Sequence, residues 1–130
     1  MSQTRFTRWA KGVMLAAALA AAGCAAMPGT GGGVRTIEVL GFTGCPNTPT
    51  ILANTRMAIA RLGQNASVAY IDQERLPEGD TRRGWPTPTV LVDGRDLFGM
   101  PAPTSAEMGC RKYPGGAPSV DEIAERLGSR

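Results

Sequence analysis

TIEVLGFTGCPNTPTILANTRMAIARLG, residues 36–63, is the stretch whose reading decides the fold. Thr36 to Phe42 is β-rich and mostly apolar, which reads as a strand. Thr43-Gly44 turns the chain. Asn47 or Thr48 then serves as an N-cap, and Pro49 is tolerated at the first helical positions. Ile51, Leu52, Thr55, Ala58, Ile59 and Leu62 recur at helical spacing until Gly63 closes the helix. The stretch is therefore strand, turn and helix, with Cys45 held in the turn.

Downstream, Ser67 to Ile71 (SVAYI) reads as a second strand. Asp72 to Gly84 is polar and broken by Pro77 and Gly79, leaving room for one short helix at most. Thr89 to Val92 (TVLV) is a strand, Asp93-Gly94 a hairpin signal and Arg95 to Phe98 the partner strand. Phe98 to Pro118, rich in Pro and Gly, reads as an irregular loop. Ser119 caps the last helix and Glu122, three residues on, completes a capping box. Val120, Ile123 and Leu127 form the buried stripe of that helix. The fold class is α/β: a β-α-β core, an antiparallel β-hairpin and a C-terminal helix. Periodicity alone allows more than one small α/β fold with this order. Residues 34–130 suffice to bury a modest core.

Upstream, Met1 to Gly12 carries Arg5, Arg8 and Lys11 and no acid, and Val13 to Ala22 is a short apolar run. A spanning helix needs about 20 apolar residues, so this segment reads as an export signal rather than an anchor. No polar face interrupts the run, which argues against a retained amphipathic helix. Ala21-Ala22-Gly23-Cys24 resembles the bacterial lipobox, which implies a signal peptide over 1–23 and lipidation of Cys24. Ala21 stands where lipoproteins usually have Leu, so an ordinary cleavage after a small-x-small triplet is the alternative. Residues 24–33 form a flexible Gly-rich tether. The expected location is the periplasmic face of the outer membrane, with the membrane reached through the N-terminal lipid.

The chain of 130 residues has 14 basic and 11 acidic residues. Three of the bases precede Cys24 and no acid does, so the mature part is neutral, which excludes nucleic acid as a partner. The absence of histidine excludes Ser-His-Asp and Cys-His catalysis and His-ligated zinc or haem. Chemistry rests on cysteine, and no cofactor is expected.

Cys45 lies between a strand and a helix start, where the helix dipole favours thiolate over thiol. The segment Gly44-Cys45-Pro46-Asn47-Thr48 resembles the active-site turn of thioredoxin-fold proteins. Thr48 stands where a dithiol enzyme has its second cysteine, so its hydroxyl is expected to hydrogen-bond the thiolate without forming a disulfide. Thr87-Pro88-Thr89-Val90 resembles the cis-proline segment of that fold, which places Pro88 against Cys45 and gives Thr87 backbone groups for an extended peptide; Pro86-Thr87 is a competing match. With PTVLVDGRDLF, Cys110-Arg111-Lys112-Tyr113 and a late GxPS, residues 34–130 are similar to small bacterial thioredoxin-like proteins related to the alkylmercury (organomercurial) lyases. The resemblance implies a thioredoxin-like fold, Cys45, Thr48 and Cys110 as catalytic residues, and Pro46, Asn47, Thr87 and Pro88 as substrate-binding residues.

The loop after Phe98 begins on the Cys45 side, and a dozen residues suffice to bring Cys110 back. Three readings follow: a resolving thiol, a permanent Cys45–Cys110 staple contributing roughly 4 kcal/mol, or two ligands, Cys45 and Cys110, for soft mercury or copper. Organomercurial lyases carry a proton-donating acid three residues after the first cysteine, and here that position is Thr48. Asp93 and Asp96 read as a turn residue and a solvated strand charge, Arg82-Arg83 as solvated loop, and Trp85 and Tyr113 as packing, with lining of the thiol site as the alternative. The expected function is thiol–disulfide redox chemistry through Cys45 on a protein or small-molecule thiol or disulfide. The alternative is a non-catalytic module that binds peptide or a soft metal.

Overall fold

A computed structural model describes residues 34–130. The expected signal peptide (1–23), the Cys24 lipidation site and the tether (24–33) lie outside the described residues. The elements are β1 (Arg35–Gly41), α1 (Thr48–Leu62), β2 (Ala66–Asp72), a 3₁₀ turn (Gln73–Arg75), β3 (Thr89–Val92), β4 (Arg95–Asp96) and α2 (Val120–Gly128). They form a mixed α/β domain around one four-stranded sheet in the order β2-β1-β3-β4. β1 runs parallel to β2 and antiparallel to β3, and β3 runs antiparallel to β4. The parallel pair requires a crossover, and α1 supplies it.

Side chains on a strand alternate between faces, and β1 and β3 use that alternation to split the core in two. Ile37, Val39, Val90 and Val92 point to the helices and pack with Ile51, Ala58 and Ile59 of α1 and Ile123 and Leu127 of α2. Each fully buried aliphatic side chain contributes about 1.5–3 kcal/mol of transfer free energy. Leu40 and Leu91 point to the opposite face, where Trp85 covers them and Ile71 and Met100 close the edge. Central β3 is buried along its whole length, which explains its unbroken run of Thr, Val, Leu and Val.

The helix ends follow the sequence reading. Asn47 precedes α1 without a side-chain cap, Pro49 sits in its first turn and Gly63 closes it in the left-handed conformation. Ser119 Oγ accepts the Glu122 N–H (3.2 Å) and Glu122 Oε2 accepts the Ser119 N–H (2.8 Å), so the capping box of α2 is formed. Asp93 and Gly94 both have positive φ, 51° and 78°, the backbone of the tight turn that matches strand twist.

β4 is shorter than expected, ending at Asp96 rather than Phe98. Asp96 Oδ2 accepts the N–H groups of Phe98 (3.0 Å) and Met100 (2.8 Å), which curls the chain out of the sheet. Asp96 is thus a buried turn-former, not a solvated strand charge. Arg82 also departs from expectation. Its guanidinium forks onto Asp80 (2.7 Å) and reaches Glu38 of β1 (3.0 Å), strapping the 73–86 segment across the sheet. Gln73 donates to the Trp85 carbonyl (3.0 Å) and the Trp85 indole to Thr81 (3.2 Å), fixing the same segment.

Asp80 shows this strap in its titration. Hydrogen bonds from the Arg82 side chain, then from its backbone N–H, hold the carboxyl down from 3.8 to about 2. A depressed carboxylate stabilises the fold above its unfolded pKa and loses that contribution as pH falls. The stability difference between wild type and Asp80→Asn is therefore expected to shrink as pH falls from about 4 to about 2. Urea unfolding across that window checks it.

Candidate functional site

The turn between β1 and α1 is closed by the Cys45 N–H donating to Phe42 O (3.1 Å) and the Thr48 N–H donating to Cys45 O (3.3 Å). Neither Pro46 nor Pro49 has an N–H to offer. Among the described residues no backbone N–H donates to the Cys45 sulfur; its polar neighbours are Thr87 O at 2.8 Å and Cys110 Sγ at 3.0 Å. The expected bond from Thr48 is not formed either. Thr48 Oγ1 is buried without a hydrogen-bond partner among the described residues, and Thr48 is wedged against Gly41 instead.

That wedge sets the shape of the turn. A Cβ on Gly41 would lie 2.4 Å from Thr48 Cγ2 and 2.8 Å from Tyr70 Cε2. Gly41→Ala is expected to cost about 1–3 kcal/mol, the usual range for overpacking, as a lowered urea midpoint with an unchanged m-value. Beside Cys45 and Thr48, a shallow cleft of about 290 Å³ is bordered by Phe42, Pro49, Leu52 and Tyr70. Pro46 and Asn47 are exposed on the turn above it.

The Thr87–Pro88 peptide bond is cis, so Pro88 rather than Pro86 is the special proline. Thr87 forms an isolated parallel bridge with Cys110. The Thr87 N–H donates to Gly109 O and the Arg111 N–H donates to Thr87 O, both at 2.7 Å. The backbone groups that the sequence reading assigned to an extended peptide are therefore engaged by the chain's own Gly109–Arg111. Thr87 O has two lone pairs, and the second takes the Cys45 S–H.

Arg111 anchors this segment. Its fork pairs with Asp96 through Nη1–Oδ1 (2.6 Å) and Nη2–Oδ2 (3.1 Å), and Nη1 also donates to Thr89 Oγ1 (3.3 Å). Its guanidinium lies 4.4 Å from the Tyr113 ring centroid, a cation–π distance. Tyr113 in turn donates to Pro88 O (2.7 Å), and burial pushes its hydroxyl well above the ordinary tyrosine range. Cys-Arg-Lys-Tyr was visible as a motif, but no local signal pairs Arg111 with an aspartate 15 residues away. Trp85 lies on the other face of the sheet, in packing.

The two sulfurs differ in environment. Cys45 is 4% exposed, whereas Cys110 is open to solvent. Both are free thiols. The Cys110 thiol is held above the ordinary cysteine range, first by its hydrogen bond with Cys45, then by desolvation and the charge of Cys45.

A disulfide requires about 2.05 Å between sulfurs, an approach of roughly 1 Å from the observed 3.0 Å. Two thiolates on one tetrahedral ion, each about 2.3 Å from it, stand about 3.8 Å apart, wider than this pair. Among the described residues no three His, Cys, Asp or Glu side chains gather as a metal site. No helix there is long and apolar enough to cross a membrane. No protein-family model, curated protein or solved structure matches the chain.

Proposed function

We propose that the domain is an exported, thioredoxin-like thiol–disulfide exchange protein whose working couple is Cys45 and Cys110. The observation that carries this reading is the 3.0 Å separation of two free sulfurs that lie 65 residues apart in sequence. Thr48 removes the local Cys-x-x-Cys couple, and position 110 supplies the missing thiol from another part of the fold. The order β2-β1-β3-β4, the cis bond before Pro88 and the cysteine in the β1–α1 turn support the thioredoxin-like assignment. The leader and Cys24 support attachment to the cell envelope. Solvent access to Cys110 favours an exchangeable disulfide over a permanent staple, since exposed disulfides are the labile ones.

The test uses glutathione disulfide on the reduced chain in a Cys24→Ser background. Wild type is expected to release two equivalents of glutathione and to end with Cys45 joined to Cys110 and nothing bound. Cys45→Ser and Cys110→Ser are each expected to release one equivalent and to keep one glutathione. A wild type that ends with glutathione on both cysteines, or with both thiols free, refutes the couple.

A further inference from the structure

Attack by sulfur on sulfur requires approach along the disulfide axis, so the rate follows which sulfur is reachable, as well as which thiol leaves more readily. Cys45 borders the cleft beside Phe42 and Tyr70, but Thr87 O and Cys110 Sγ lie against its sulfur and only 4% of its surface is exposed. Cys110 sits on the outer side of the pair, on a segment tied down at both neighbours: Gly109 O takes the Thr87 N–H and the Arg111 N–H binds Thr87 O. A peptide cannot pair with Thr87 without displacing that segment. The buried Arg111–Asp96 fork one residue away holds it in place.

We propose that external thiols and disulfides exchange at Cys110 and that Cys45 is the internal, resolving sulfur, the reverse of the order expected from the position of Cys45 at the helix start. The proposal rests on the redox couple described above. Starting from the Cys45–Cys110 disulfide, an external thiolate attacks Cys110 Sγ. The Cys110–Cys45 bond breaks, and Cys45 leaves with the electron pair and is protonated from water. A second external thiolate attacks the external sulfur of the mixed disulfide, and Cys110 leaves and takes a proton. Two external thiols become one disulfide, and the protein pair gains two electrons and two protons. With an external disulfide as oxidant, the same steps run in reverse.

Two measurements with glutathione test the order, both in the Cys24→Ser background. In the first, glutathione disulfide is added to Cys45→Ser and Cys110→Ser, and adduct formation is followed by mass. Cys110 in Cys45→Ser is expected to react at least tenfold faster than Cys45 in Cys110→Ser. In the second, the oxidised wild type is mixed with reduced glutathione, quenched in acid and peptide-mapped, which avoids any opening of the site by mutation. Glutathione is expected on the Cys110 peptide; glutathione on the Cys45 peptide overturns the order while leaving the redox couple intact. A wild type that never forms the internal disulfide overturns both.

Discussion

Asp96→Ala is expected to destabilise the domain by about 3–5 kcal/mol, because it leaves the Arg111 guanidinium buried and unpaired. Asp96 is 3% and Arg111 9% exposed, so water does not replace the lost carboxylate. The N–H groups of Phe98 and Met100 lose their acceptor as well. Folding stabilities of such domains are about 5–15 kcal/mol, so the loss is a large share of the total. The energy lies in the uncompensated charge rather than in the pair itself. Asp96→Leu combined with Arg111→Met is therefore expected to recover most of it, as buried pairs replaced by apolar residues of similar volume often do. Urea unfolding at neutral pH measures all three chains. A loss below about 1 kcal/mol for Asp96→Ala, in the range of an exposed pair, contradicts the buried-fork account.

Gly84→Ala is expected to cost about 2–5 kcal/mol, the sum of a left-handed backbone and an overpacked contact. Gly84 has φ +83°, and a Cβ there would lie 1.9 Å from the Ser105 carbonyl oxygen. That neighbour is backbone and cannot rotate away, so the 99–109 loop must shift. The same loop delivers Cys110 to Thr87, so the fraction of chain with the internal disulfide is expected to fall in a fixed glutathione buffer. Gly79→Ala is the control. Gly79 also has φ +83°, but no atom of the described residues lies within 4 Å of its Cβ position, so only the backbone cost of about 1–2 kcal/mol applies. Equal losses for the two variants contradict the steric account.

The elements that sequence reading located are those whose signals are local. The helical spacing from Ile51 to Leu62, the Ser119–Glu122 box and the Asp93-Gly94 turn each write their geometry into a few adjacent residues, and each appears where expected. The features that escaped depend on side-chain pairings that leave no periodic signal, some of them with partners far along the chain. Asp96 read as a solvated strand charge because nothing near it announces Arg111. Arg82 reads as solvated because its fork onto neighbouring Asp80 carries no periodic signal and its second partner, Glu38, lies 44 residues away on β1. The end of β4 shifted by two residues because the Asp96 side chain captured amides that a strand would have left to its neighbour. At the site, counting loop residues allows Cys110 to lie beside Cys45 but does not give its route. The bridge of Gly109–Arg111 on Thr87 is a long-range backbone pairing, and exposure assigns the outer place to Cys110 rather than to the cysteine with the stronger motif.

The proposed thiol chemistry requires Cys45 and Cys110 to form one two-electron couple. Equilibration of the Cys24→Ser chain in glutathione buffers of graded potential, followed by alkylation and peptide mapping, measures that couple. Both cysteines are expected to titrate together as a single two-electron transition, with a midpoint above about −300 mV as befits a solvent-accessible disulfide. Independent titration of the two cysteines, or a disulfide that stays closed below about −300 mV as structural ones do, contradicts it.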